Sequence, residues 1–183
     1  KLNLNSNFIN NNGIISLANI LKDNITITDL DLSFNKFNFE VASNLKEVIM
    51  FNKTIMTLYL DNNNLGDPGI FILVQGLIEN NTLRKLYISD NNINIKGAKA
   101  IARALLFNKS IMELDIFNNN VSDEGTIALA NTLESNDTIT KIILSGNNIS
   151  DNGAIALGNI LKINKSITDL NISNNQISHI GAI

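Results

Sequence analysis

Cysteine and tryptophan are absent from the 183 residues, which include one proline and one histidine and are only 5% aromatic. Without cysteine there is no disulfide, no thiolate zinc site and no thiol nucleophile, and the composition fits a reducing cytoplasmic compartment better than a secreted one. The lone histidine, His179, cannot assemble a catalytic triad, so no catalytic residue is assigned and the chain is not read as an enzyme. A net charge of −3, with 14 basic residues spread along the chain, leaves no basic stripe for a phosphate backbone. No apolar run approaches membrane-spanning length, and no signal peptide stands at the start. Neither G-x-x-x-x-G-K-[ST] nor G-x-G-x-x-G occurs, so no phosphate-cradling loop is expected. Nucleic acid, membrane, metal and cofactor are all left out of the reading.

What the chain does contain is repetition. Residues 81–108, NTLRKLYISDNNINIKGAKAIARALLFN, define a unit that recurs every 28 residues without insertion or deletion. Within it Leu83, Leu86, Ile88, Asn91 and Ile93 spell L-x-x-L-x-L-x-x-N-x-I. The Leu86/Ile88 alternation has the period of two of a strand, and Ala98, Ile101, Ala102 and Leu105 mark one face of a helix. The second strand leucine recurs as Leu2, Leu30, Leu58, Leu86, Leu114, Ile142 and Leu170, and the asparagine as Asn7, Asn35, Asn63, Asn91, Asn119, Asn147 and Asn175. Each unit is strand, turn, helix, turn, too small to bury its apolar side alone.

These residues resemble leucine-rich repeats of the ribonuclease-inhibitor-like subclass, including those of NOD-like receptors and of the Ran GTPase-activating protein. The stretch VSDEGTIALANTLESNDTI, Val121 to Ile139, is similar to the second half of a NOD-like receptor repeat. The resemblance covers the whole chain. It implies an α/β right-handed solenoid, a horseshoe with a concave parallel sheet and convex helices. About six and a half repeats over 1–183 make a single domain. The chain starts on a strand at Leu2 and stops in the opening of a helix at Ile183, with no polar capping repeat at either end, so it reads as a fragment of a longer array.

The asparagine ladder from Asn7 to Asn175 is expected to satisfy backbone groups of the turn and of the adjacent repeat. A second ladder, Asn24, Asn52, Asn80, Asn108, Asn136 and Asn164, is followed two residues on by Thr or Ser. It forms glycosylation sequons, but reads as a helix stop in the left-handed conformation. Gly13, Gly69, Gly97, Gly125, Gly153 and Gly181 share one register and read as close helix packing. Ser122-Asp123 and Ser150-Asp151 read as helix caps, His179 shares the register of Asp123 and Asp151, and Pro68 reads as a first helical position. The second repeat has Val41 in place of glycine and Lys46 in place of a small residue, which predicts an outward-displaced helix. Met50, Phe51, Ile78, Leu106, Phe107 and Ile163, near helix ends, are a second candidate binding surface, with packing under the following loops as the favoured reading.

Strands stack about 4.8 Å apart and helices about 8–10 Å apart, so the stack must curve with the sheet inside. The outward strand positions then place Tyr59, Tyr87, Phe117 and Ile143 on neighbouring strands. Asp31, Asp61, Asp90, Glu113 and Asp115 ring them, with Lys85 and Lys141 nearby. Exposed aromatics among charges have the composition of a protein-binding hot spot, and the acidic majority points to a protein partner with a basic patch. Nothing orients Asp31, Asp61 and Asp115 as metal ligands, so no metal is assigned. A protein-interaction scaffold or recognition domain is the leading function. Beside it stand a GTPase-activating regulator like the Ran activator, against which the strict period argues, and a secreted or effector-type recognition protein.

Overall fold

A computed structural model describes residues 1–182. Ile183, where the sequence reading places the opening of a further helix, lies outside the described residues.

Among the described residues seven short strands form one parallel sheet in chain order: β1 (Leu2–Asn3), β2 (Asp29–Asp31), β3 (Thr57–Tyr59), β4 (Lys85–Tyr87), β5 (Glu113–Asp115), β6 (Lys141–Ile143) and β7 (Asp169–Asn171). Every pairing joins residues 28 apart, such as Leu58 with Leu86 and Leu86 with Leu114. The sequence period is therefore the sheet register. Between strands run α1 (Asn11–Leu21), α2 (Ala42–Phe51), α3 (Gly66–Leu73), α4 (Gln75–Glu79), α5 (Ile95–Phe107), α6 (Ser122–Leu133) and α7 (Asp151–Leu161). The α5 face buries Ala98, Ile101, Ala102 and Leu105, the four positions that its periodicity selects. They join Leu86 and Leu114 of the strands, and Ile88 and Ile116 just after them, in one continuous core.

The first asparagine ladder lies in the turn after each strand. Asn63 Nδ2 donates to the carbonyls of Leu32, Leu60 and Asp61, and its Oδ1 accepts from Asn35 N. One side chain thus satisfies its own turn and the preceding repeat. Among the described residues no buried side-chain nitrogen or oxygen lacks a partner. The left-handed residues are found at other registers of this turn: its first residue, as at Phe34, Asn62, Asp90 and Asn118, and two residues on at Asn64, Asn92 and Asn148.

The second ladder departs from its expected conformation. Asn52, Asn80 and Asn108 are extended, with φ between −68 and −78°, because their side chains stop the helices instead. Asn108 Oδ1 accepts from Ser110 N and Ile111 N, while Nδ2 donates to Leu77 and Asn80 of the preceding repeat. Asn52, Asn80, Asn108 and Asn136 are buried. A glycan on Asn52 or Asn108 Nδ2 would displace these bonds, so those sequons serve the fold.

Helix capping also crosses between repeats. Ser150 makes no side-chain cap; Asp123 of the preceding repeat accepts from Ser150 N at 2.7 Å and Gly153 N at 3.1 Å. Asp67 serves Asn94 and Gly97 in the same way, and Asp151 serves Ser178 and Gly181. An Asp therefore caps the next segment rather than its own. Burial raises the Asp123 carboxyl, but the bonds from Ser150 and Gly153 outweigh it and hold the group below its ordinary range. Pro68 is the third residue of α3 rather than the first, still within the turn whose N–H groups have no intrahelical partner.

The second helix is not lifted off the core. A 3₁₀ turn at Phe39–Val41 replaces its first turn, and Val41, Ala42, Leu45, Val48 and Ile49 are all buried. The next repeat makes the room: a Cβ at Gly76 would lie 2.7 Å from the Lys46 carbonyl oxygen.

Glycines of the shared register sit where helices touch. A Cβ at Gly125 would lie 2.8 Å from Ala98 Cβ and 2.7 Å from Val121 Cγ1, whereas one at Gly158 would meet nothing within 4 Å. Gly158→Ala is therefore expected to raise stability by about 0.5–1 kcal/mol through helix propensity, and Gly125→Ala to lower it. Differential scanning calorimetry should move Tm up for the first and down for the second.

Candidate functional site

The three solvent-facing rows of the sheet are built by register alone. In the middle row Asp31, Tyr59, Tyr87, Asp115 and Ile143 are successive strand partners. The Tyr59 and Tyr87 rings stack at 4.4 Å between centroids with 7° between planes. This close to the strand spacing, two rings can lie parallel without distorting the ladder.

The row before it holds Lys85, Glu113 and Lys141, also strand partners. Glu113 Oε2 lies 3.1 Å from Lys85 Nζ and Oε1 3.0 Å from Lys141 Nζ, and the glutamate is buried. The same carboxylate faces the Tyr87 hydroxyl, which places Glu113 between the tyrosine stack and two lysines. Burial and the neighbouring Glu113 carboxylate push the Tyr87 hydroxyl above its ordinary range. Burial would raise Glu113, but the bonds from Lys141, Lys85 and Tyr87 prevail and hold it below its usual 4.5.

That direction gives a pH prediction. A carboxylate lowered in the folded state contributes stability that is complete above its unfolded value, near 4.5, and is lost as pH falls through the lower folded value. Glu113→Gln should therefore flatten the acid limb of the stability curve below about pH 4.5 while lowering stability at neutral pH. Urea titrations at a series of pH values would measure both effects.

In the third row Asp61 accepts from Ser89 N at 2.7 Å and from the Ser33 hydroxyl at 3.3 Å. Asp115, in the middle row, accepts from the Ser89 hydroxyl at 2.9 Å and from Phe117 N at 2.8 Å. Phe117 is 38% exposed and Ile143 half-buried. Burial pushes the Asp61 carboxyl up, the bonds from Ser89 and Ser33 pull it down, the charge of Asp115 raises it further, and the net shift is upward. Asp31 accepts from Ser33 N. Asp90 lies off the strands, in the turn after β4, where Asn118 donates to it.

The structure thus brings Tyr59, Tyr87, Phe117, Ile143, Asp31, Asp61, Glu113 and Asp115 onto one sheet face, with Asp90 at its edge. Two features are added to the sequence reading. Glu113 is neutralised by Lys85 and Lys141, and Ser89 is the junction between Asp61 and Asp115. The Lys, Glu, Lys alternation at 28-residue spacing signals the first; a serine 28 residues after one aspartate and 26 before the other signals the second.

The helix-end residues are not covered by loops. Phe51, Phe107 and Ile163 are more than half exposed, and Ile78 and Leu106 nearly so. The asparagine that follows, buried at Asn52, Asn80 and Asn108 and half-buried at Asn164, turns the chain inward after them, leaving the preceding residues on the convex side. A groove of about 260 Å³ between α3, α4 and α5 is lined by Phe71, Val74, Ile78 and Arg103. Among the described residues no group of three or more His, Asp or Glu side chains is placed to hold a metal ion, and no helix is long and apolar enough to cross a membrane.

The family described as Leucine Rich repeat matches residues 23–38, 51–72, 79–102, 107–130, 135–158 and 164–183. No curated protein sequence matches the chain. Among solved structures, leiomodin-1 actin-binding site 2 is similar over 80% of this chain and 86% of its own, with 22% identity and a TM-score of 0.68. The tropomodulin C-terminal domain of Caenorhabditis elegans is similar over 81% and 91%, with 16% identity and a TM-score of 0.62. An internalin from Listeria monocytogenes is similar over 91% of this chain and 46% of its own, with 18% identity and a TM-score of 0.56. At these identities the likeness establishes the fold.

Proposed function

We propose that this chain, which belongs to the leucine-rich repeat family, is a protein-interaction domain that takes its partner on the concave sheet. The observation that carries the reading is the Tyr59–Tyr87 stack. It is an aromatic anchor beside Glu113, flanked by Phe117 just after β5 and by Ile143 on β6. Aromatic side chains whose rotamers are already fixed lose little freedom on binding, which is what a hot spot requires. The use of a similar fold as an actin-binding site in leiomodin-1 supports a protein partner. The zero cysteine count fits a cytoplasmic setting.

Retention from source lysate on the unmodified chain, beside a Tyr59→Ala, Tyr87→Ala, Phe117→Ala variant with folding checked by circular dichroism, tests the reading. Actin is the first purified protein to try. A protein kept by the unmodified chain and lost by the variant supports the concave face; one kept equally by both moves the site to the convex groove or the edges.

A further inference from the structure

The helix of the third repeat is broken, and the break opens a groove on the convex side. α3 ends at Leu73, α4 starts at Gln75, and Val74 between them is a turn. Gly76 lets α4 lie close on α2, since a Cβ there would stand 2.7 Å from the Lys46 carbonyl oxygen. The gap of about 260 Å³ falls on the other side, against α5.

Its two walls differ. Phe71, 61% exposed, and Ile78, 43% exposed, stand on the α3 and α4 side, and Arg103 stands on the α5 side. Between them lie the smaller Val74, Ala100 and Ala104. Phe71 and Ile78 are seven residues apart, which is two helical turns or about 10 Å. The Phe71 carbonyl beside the break already accepts from Gln75 Nε2 at 3.1 Å. A strand therefore finds no main-chain ladder here. A helix brings its own backbone paired and presents side chains at i, i+4 and i+7, the spacing from Phe71 to Ile78.

The sign of the occupant comes from α5, which carries Lys96, Lys99 and Arg103 and no acidic residue. Lys99 reaches Glu124 at 3.2 Å, but among the described residues Lys96 and Arg103 form no salt bridge. Lys96 also stands in the first turn, where the helix dipole disfavours a cation. Neither charge is neutralised within the chain. The α4 wall ends in the exposed Glu79, so carboxylates of an occupant are directed toward α5.

We infer that this groove docks an acidic amphipathic helix of a protein partner, its apolar ridge seated between Phe71 and Ile78 and a carboxylate on its flank paired with Arg103. Arginine beside an exposed aromatic has the composition of a hot spot, and a guanidinium takes a carboxylate through two parallel bonds. The surface is separate from the concave sheet, and neither reading rests on the other.

The probe is a blocked, stapled helical peptide of about four turns, with leucines at i, i+4 and i+7 and glutamates along one flank. Versions with glutamine or lysine in place of glutamate are compared with it. Backbone-amide NMR of the whole chain should show saturable shifts centred on Ala100, Arg103 and Ala104. The glutamine peptide is expected to bind roughly threefold more weakly, and the lysine peptide more weakly still. A Lys96→Glu, Arg103→Glu variant should prefer the lysine peptide to the glutamate one, a result that loss of folding cannot produce. A Phe71→Ala, Ile78→Ala variant should lose the shifts, with circular dichroism checking the fold. The Tyr59→Ala, Tyr87→Ala, Phe117→Ala variant should bind the peptide as the unmodified chain does, so the two surfaces fail separately. Equal binding of the three peptides, an order unchanged by the charge reversal, shifts centred on the sheet, or no saturable shift would overturn the groove. So would a dimer of the chain alone, seen by sedimentation and abolished by Ile78→Glu, which would give the groove to a second copy.

Discussion

Asn119→Leu is expected to cost on the order of 3–5 kcal/mol. Asn119 Oδ1 accepts from Asn91 N and Ile93 N, and Nδ2 donates to the carbonyls of Ile88, Ile116 and Phe117. Leucine matches the shape but offers none of these contacts, so backbone groups of two repeats are left in a nearly dry turn. Each unsatisfied buried group costs about 1–3 kcal/mol, and partial access to water for the outermost of them keeps the total below the simple sum. For a chain of this size the loss corresponds to roughly 10 °C in Tm. Asn120→Ala is the contrast. Its exposed side chain bonds only to Asn94 and Asn148, so stability should stay within about 0.5 kcal/mol. Thermal melts of the two variants would separate the buried ladder from the decorative one.

The second large effect is on binding. Removing the three aromatic side chains of Tyr59, Tyr87 and Phe117 should weaken the partner's affinity by at least roughly a hundredfold, about 3 kcal/mol. The loss comes from the apolar contact that the three rings supply. Fold stability should change much less, because the three rings stand on the solvent side of the sheet and the core beneath them is continuous without them. Isothermal titration of a captured partner against both forms would give the ratio. An affinity within about threefold of the unmodified chain would remove the aromatic row from the interface.

The strand positions, the sheet register and the first asparagine ladder were legible because every one of them repeats at 28 residues, and a parallel stack makes period and register the same quantity. Tyr59, Tyr87 and Asp115 could be placed on one row for the same reason. What the pattern did not carry was direction. Asp123 occupies a capping register in its own helix, yet its side chain reaches Ser150 and Gly153 of the next repeat; a column of residues does not say which neighbour each one serves. Phe51 and Phe107 were misplaced because an apolar pair at a helix end fits a covered or an open position equally well, and only the inward turn at Asn52 and Asn108 decides it. Glu113 counted as part of an acidic surface until its distances to two lysines were known.

The two tyrosines of the chain are Tyr59 and Tyr87, and both stand in the proposed interface, which makes them a selective reporter. Fluorine NMR of 3-fluorotyrosine-labelled chain should give two resonances, and saturation with a captured, unlabelled partner tests the central claim most directly. Both resonances shifting or broadening, with the partner bound at one-to-one stoichiometry, is the predicted result. Two resonances unchanged in position and width with the partner fully bound would contradict it.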